Sequence, residues 1–108
     1  MIETDVHITP GHMAVEASGH SGYALKGADI VCSAFSILFF TLAQSLQEKG
    51  LAVEVTERGQ IKRINAYGHI SLEHRVLNDY FISGVCMLAE KYPMYVAPPR
   101  LETGGINV

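Results

Sequence analysis

A change from strand to helix lies within residues 19–36, which have the sequence GHSGYALKGADIVCSAFS. The first half of this segment contains His20 and reads as a loop. Its three glycines are Gly19, Gly22 and Gly27. The second half begins at Asp29, a favoured N-cap residue, and places Cys32 in the first turn of a helix. The segment therefore predicts a glycine-spaced loop that folds its histidine back over a cysteine at a helix N-terminus.

The rest of the chain alternates between strand and helix patterns. After Asp29, apolar residues recur at helical spacing and predict a helix over residues 30–47. Gly50 follows it, and glycine is favoured just beyond the C-terminal end of a helix. Alternating apolar residues predict four strands that form two hairpins. The first hairpin is indicated by Ile2, Val6 and Ile8, then by Met13, Val15 and Ala17. The second is indicated by Leu51, Val53 and Val55, then by residues 61–68. Ser71 caps a second helix that Pro93 ends. We expect this helix to have one apolar face, which is formed by Leu72, Val76, Tyr80, Leu88, Leu77, Phe81 and Val85.

The element order ββαββα indicates an α+β fold, a two-layer sandwich in which a mostly antiparallel sheet packs with two helices. At 108 residues the chain is one domain. We expect this domain to occupy residues 1–97. Residues 98–108 contain paired prolines and paired glycines, and they predict a flexible C-terminal tail after a short strand.

Composition narrows the class of function. Apolar residues make up 48% of the chain and the formal net charge is −3, which disfavours intrinsic disorder. The chain has no basic run interleaved with aromatic residues, so nucleic acid is not an expected partner. The apolar run over residues 34–43 is well short of the roughly 20 residues that span a bilayer, and the acidic start is unlike a signal peptide. We therefore expect a cytoplasmic protein without a membrane contact, whose two cysteines are free thiols.

Cys32 is the candidate reactive group. Unpaired backbone N–H groups and the helix dipole at a helix N-terminus favour the thiolate, the form that attacks carbonyl carbons. The alternative is a small buried hydrophobe, the usual role of a lone cysteine, and the same alternative is the expectation for Cys86. Asp29 has two readings as well: it orients His20 as the third member of a triad does, or it only caps the helix.

Other polar residues favour structural roles. Ser36 lies one turn beyond Cys32 and is a possible neighbour of the site, although a bond back to a helix carbonyl is the more ordinary use. His69 and His74 are five residues apart, a spacing that does not share a helix face. With no CxxC or HxxxH pair in the chain, no metal and no cofactor are expected.

The motif resembles the signature of the ribosomal-processing cysteine protease family (Prp). Its matching positions are Gly19-His20, Ala24, Gly27, Asp29-Ile30-Val31-Cys32, Ala34 and Ser36. A second similarity lies in the closing segment, which reads AEKYP over residues 89–93 and is followed by Tyr95-Val96. The resemblance covers residues 2–96. Ser33 departs from it mildly, because a small alanine is common at that position.

The resemblance implies a function. It makes Cys32 the nucleophile and His20 the acid/base of a cytoplasmic homodimeric thiol protease. The expected substrate is the precursor of the large-subunit ribosomal protein numbered twenty-seven, which loses an N-terminal extension after paired phenylalanines. Backbone N–H groups around Cys32 and Ser33 would stabilise the oxyanion, and the loop carrying Gly19, Gly22 and Gly27 would close over the peptide.

Two other functions stay open at this level. A phage-borne relative would instead mature a capsid or scaffold protein, and a non-catalytic binding module would use the same fold with a structural Cys32. A His/Cys metal-binding protein is a weaker rival.

Overall fold

The structure, a computed structural model, describes residues 1–20, 22 and 29–103. Within these residues the strands are β1 (Glu3–Thr9), β2 (His12–Ser18), β3 (Ala52–Arg58), β4 (Ile61–Tyr67) and β5 (Arg100–Thr103). The helices are α1 (Ile30–Glu48) and α2 (Leu72–Lys91). The ββαββα order and the α+β class predicted from the sequence are confirmed, with one strand added at the end.

The five strands form one sheet in the order β3-β4-β2-β1-β5. The pairs β1–β2, β2–β4 and β3–β4 are antiparallel, and β1–β5 is parallel. The two hairpins therefore lie side by side, with β2 and β4 at the centre. In the β2–β4 register Ser18 pairs with Ile61. The end of β2 therefore lies beside the β3–β4 turn, although more than forty residues separate them in sequence.

The core lies between one face of the sheet and the two helices. Strand β1 alternates between half-buried and buried residues, as expected of a sheet with one face against a core. The largest fully buried side chains are Phe39, Met13, Leu46, Ile64, Val15, Val31, Val85 and Val96. They come from both helices, from the central strands β2 and β4, and from the segment after α2, so the same core holds both layers together.

Strand β5 extends the sheet beyond the domain boundary predicted at residue 97. Its backbone pairs with β1 in the register Asp5 with Arg100, and an isolated bridge between Ile2 and Val96 precedes it. The side chains reinforce this pairing, because Arg100 donates to both carboxylate oxygens of Asp5 at 2.6 and 3.0 Å and to Glu3 at 3.1 Å. Residues 100–103 of the predicted tail thus belong to the sheet, and residues 104–108 lie outside the described chain.

Helix α1 is long and apolar enough to cross a membrane by length and composition alone, with a mean hydropathy of 1.6. Core helices of soluble proteins have the same composition, and α1 buries six side chains. Other apolar side chains of α1 stay exposed among the described residues: Ile37 is 66% exposed and Phe40 is 40% exposed. The apolar surface of α1 is thus wider than the described residues bury.

The prediction of which α2 residues are buried is wrong in part. Phe81 and Val85 are buried as expected, and Leu77 and Leu88 pack against the core. Leu72, Val76 and Tyr80 are instead between 56% and 78% exposed. The buried face also includes His74 and Asn78. Because both residues are polar, the pattern of apolar residues does not assign them to a buried face. Leu72, Val76 and Tyr80 each come two residues before a position on the buried side of the helix. Two residues correspond to about 200° of rotation around the helix axis. These three side chains therefore lie on the side of α2 that faces away from the core.

His74 connects the two helices. Its Nδ1 accepts the backbone N–H of Ser71 at 3.0 Å and lies 2.9 Å from the Ser71 hydroxyl. Because a backbone N–H can only donate, the proton of a neutral ring is on Nε2, which donates to the carbonyl of Lys49 at 2.8 Å. The end of α1 is therefore fixed to the start of α2, and both ring nitrogens of His74 are used in this link.

We expect the attachment of β5 to depend on pH through Asp5. The hydrogen bonds from Arg100, and then its charge, hold the pKa of the Asp5 carboxyl below its usual range. Since the folded pKa is lowered, this contribution is complete above the ordinary carboxyl range and is lost as pH falls through the lowered value. NMR titration of Arg100→Gln should return the pKa of Asp5 towards the ordinary range, with faster amide exchange in β5. Global stability should change little, because the pair is exposed.

The matched control is Arg75→Gln, which removes a positive charge from α2 in the other layer. An unchanged pKa for Asp5 in Arg100→Gln, or an equal change in Arg75→Gln, would contradict the assignment.

Candidate active site

Asp29 determines where α1 begins. Its backbone is extended, and its Oδ1 accepts the N–H groups of Val31 and Cys32, each at 3.0 Å. Two of the four N–H groups that a helix start leaves without helical partners are thereby satisfied. The carboxylate is buried. The capping function predicted for Asp29 is confirmed, and its orienting role towards His20 stays a prediction.

Cys32 and His20 line the same cleft, which has a volume of about 470 Å³. Cys32 is half-buried in the first turn of α1, and His20 is exposed just after β2. The fold therefore brings to one surface the two residues that the sequence motif predicted to act together. The lining of the cleft also includes three buried apolar residues, Ile2, Ala17 and Phe35.

Gly19 anchors the start of the loop that carries His20. Its N–H donates to the carbonyl of Gln60 at 3.0 Å, and its φ of +82° is in the left-handed region that favours glycine. A Cβ at this position would overlap the carbonyl oxygen of Met1. The glycine thus allows the chain to leave β2 between Met1 and Gln60, and the next residue is His20.

The two serines of the motif have different surroundings. The Ser33 N–H and hydroxyl both donate to the carbonyl of Asp29, at 3.2 and 3.1 Å. Because the Cys32 N–H also donates to Asp29, neither of the predicted oxyanion donors is available in this conformation, which counts against that role for Ser33. Ser36 lines the cleft one turn beyond Cys32, as predicted for a neighbour of the site.

The glycine loop is described only in part. Gly22 is exposed with a φ of +68°, whereas Gly27 lies outside the described residues, as do residues 21, 23–26 and 28. The predicted closure of this loop over a peptide therefore falls outside the described part of the chain.

The β3–β4 hairpin forms a wall of the cleft that sequence reasoning missed. Its lining residues are Glu57, Gly59, Gln60 and Lys62. They follow Cys32 by 25 residues or more, and no motif connects them with it. The pairing of β2 with β4, which places them beside His20, is a long-range contact that local periodicity does not encode.

Cys86 is exposed rather than packed in the core, so the expectation of a buried core thiol is wrong. Position 86 lies on α2, one residue and about 100° around the helix from the buried Val85. Among the described residues, no three His, Cys, Asp or Glu side chains are grouped as ligands for a metal ion.

Comparison with protein families gives the family of the chain. The family model described as "Cysteine protease Prp" matches residues 1–97, most of the chain. This chain belongs to the Prp cysteine protease family. The protease is thus a peptide hydrolase, and the family match extends over both helices and four of the five strands. No curated protein sequence matches it.

Solved structures show the same fold. A ribosomal processing protease Prp from S. aureus, in complex with a covalently linked product peptide, has a TM-score of 0.76 at 19% identity; the match covers 95% of this chain and 99% of that one. The same S. aureus protease with a substrate peptide has a TM-score of 0.69 at 18% identity, with 95% and 99% covered. SMU.848 from Streptococcus mutans has a TM-score of 0.68 at 26% identity, with 95% of each chain covered.

Substitution of Asp29 separates capping from catalysis. Asparagine is as good an N-cap as aspartate, so we expect Asp29→Asn to keep its melting temperature and a peptidase activity within threefold of the unmodified protease. Asp29→Ala removes the acceptor of two N–H groups and should lose about 1 kcal/mol of stability, measured by thermal or urea unfolding. A folded Asp29→Asn variant that loses more than tenfold in kcat would instead indicate that the carboxylate orients His20.

Proposed function

We propose that the protease cuts peptide bonds by a Cys-His mechanism in which Cys32 is the nucleophile and His20 the acid/base. The observation that carries this proposal is that both side chains line one cleft, in a chain whose residues 1–97 match the family model. The half-buried thiol lies in the first turn of α1, in a cleft that is partly lined by apolar residues. Free thiols at positions 32 and 86 suit a reducing compartment, which supports a cytoplasmic location.

The steps follow from the chemistry of the two groups. His20 accepts the proton of the Cys32 thiol, and the thiolate sulfur attacks the carbonyl carbon of the peptide bond. The C–N bond then breaks, and His20 gives the proton to the leaving amine. A water molecule, deprotonated by His20, hydrolyses the thioester and restores the thiol. Since Asp29 already holds the Cys32 N–H, an oxyanion at this site competes with that carboxylate for the same donor.

We propose as substrate the precursor of the large-subunit ribosomal protein numbered twenty-seven, cut after paired phenylalanines at the end of an N-terminal extension. The fold match to a ribosomal processing protease bound to peptides supports a peptide partner. Apolar residues, among them Ile2, Ala17 and Phe35, are part of the lining of the cleft, and an apolar lining favours aromatic side chains. Nucleic acid and membrane are not among the partners we propose.

Incubation with this precursor tests the proposal. We expect one defined cut in the unmodified protease, detected by mass spectrometry, and no cut in Cys32→Ala or His20→Ala, because each variant lacks one half of the proton-transfer pair. Both variants should unfold at the ordinary temperature. A capsid-protein precursor is tested in parallel. If only the capsid-protein precursor is cut, it takes the place of the ribosomal precursor as the proposed substrate. Equal cleavage by Cys32→Ala and the unmodified protease would exclude the Cys-His mechanism.

Alkylation distinguishes a protease from a non-catalytic binding module. Cys86 is exposed and Cys32 only half-buried, so exposure alone favours labelling of Cys86 by iodoacetamide. Faster labelling of Cys32 near neutral pH therefore reports a reactive thiolate. Slower labelling of Cys32 would support the binding module.

We propose further that the protease is a homodimer whose interface includes the outer surface of the helix layer. A groove of about 240 Å³ lies between α1 and α2, and its lining includes the exposed Ile37 and Tyr80. Leu72 and Val76 extend this apolar surface along α2. Large exposed apolar surfaces of this kind are typical of protein–protein contacts, and a second copy of the chain is the commonest partner.

We expect Ile37→Lys to shift the protease towards monomer in sedimentation experiments, because it places a charge in the proposed contact. Ile61→Lys is the matched control, since Ile61 is an exposed isoleucine on the opposite face of the sheet. A monomeric unmodified chain, or an equal shift in both variants, would contradict this interface.

A further inference from the structure

Two charged side chains in the active-site cleft have no part in the Cys-His chemistry. Glu57 on β3 and Lys62 on β4 both line the cleft that contains Cys32 and His20. They are cross-strand partners, and Lys62 Nζ is 4.0 Å from Glu57 Oε1. This separation is at the outer limit of an ion pair, so the two charges attract each other only weakly.

The two charges differ in how firmly they are held. Lys62 Nζ also lies over the Phe40 ring, 5.3 Å from its centroid, in a cation–π contact. Its side chain is 34% exposed, whereas that of Glu57 is 59% exposed. Lys62 therefore has a second partner on α1, and Glu57 is the charge that a ligand in the cleft reaches more easily.

The distance from the nucleophile follows from the helix. Phe40 comes eight residues after Cys32 on α1, which corresponds to roughly 12 Å along the helix axis. An extended peptide advances roughly 3.3 Å per residue. A peptide that lies along this part of α1, with its reacting carbonyl at Cys32, therefore brings its third or fourth residue from the cut bond to the level of Lys62 and Glu57.

We propose that Glu57 is a specificity-determining residue that selects a lysine or arginine at the third or fourth residue from the cut bond. A cationic side chain at that position binds the Glu57 carboxylate while Lys62 keeps its place over Phe40. An acidic side chain meets the same carboxylate and is disfavoured. The inference rests on the proposed peptidase site at Cys32, and it adds a charge preference to it.

Peptide substitution tests this selection. In quenched fluorescent peptides with paired phenylalanines before the cut bond, each position on both sides is replaced in turn by Arg, Gln or Glu, and kcat/KM is measured. We expect the unmodified protease to prefer Arg over Glu by about three- to fivefold at the third or fourth residue on one side. This size is that of a partly exposed ion pair. Glu57→Gln should abolish the preference, Glu57→Lys should reverse it, and the change should be mainly in KM.

Glu54→Lys is the matched control. It makes the same charge change on the same strand, but on the opposite face of the sheet, so it should leave the preference intact. The inference is overturned if the peptides are cut with no charge preference, if the preference is elsewhere in the peptide, or if Glu57→Lys keeps it. Failure of the unmodified protease to cut any peptide would instead overturn the proposed function, and this inference with it.

Discussion

The site depends on the N-terminal cap of α1, which the Asp29 side chain provides. One carboxylate oxygen accepts two N–H groups, and one of these belongs to Cys32. The cap therefore fixes the first turn of the helix and the backbone of Cys32 together. The position of the Cys32 backbone is therefore set by a side chain three residues earlier in the chain.

The cleft exists because two distant hairpins meet in one sheet. Strand β2 ends beside the β3–β4 turn, where the Gly19 N–H donates to the Gln60 carbonyl. The wall that contains Glu57 and Lys62 is thereby placed opposite the first turn of α1. The candidate site is thus built where three parts of the chain meet: the end of β2, the first turn of α1 and the β3–β4 hairpin.

Polar residues in the helix layer explain the main error in prediction. The buried face of α2 passes through His74 and Asn78, and His74 is satisfied by Ser71 and Lys49 at the helix ends. Apolar periodicity assigns such positions to solvent and chooses Leu72 and its neighbours for the core. Those apolar residues face outwards, and this is why the helix layer has a surface suited to another protein.

Local chemistry in the sequence was enough to predict the two hairpins, both helices and their caps, because alternation, N-caps and glycine stops are encoded in adjacent residues. The motif from His20 to Cys32 was readable for the same reason, since it spans a single loop-to-helix junction. The tertiary structure alone decided the sheet order, the parallel strand β5 and the hairpin wall of the cleft. Each of these rests on contacts between residues far apart in the chain, such as Asp5 with Arg100 and Gly19 with Gln60, and no local pattern specifies them.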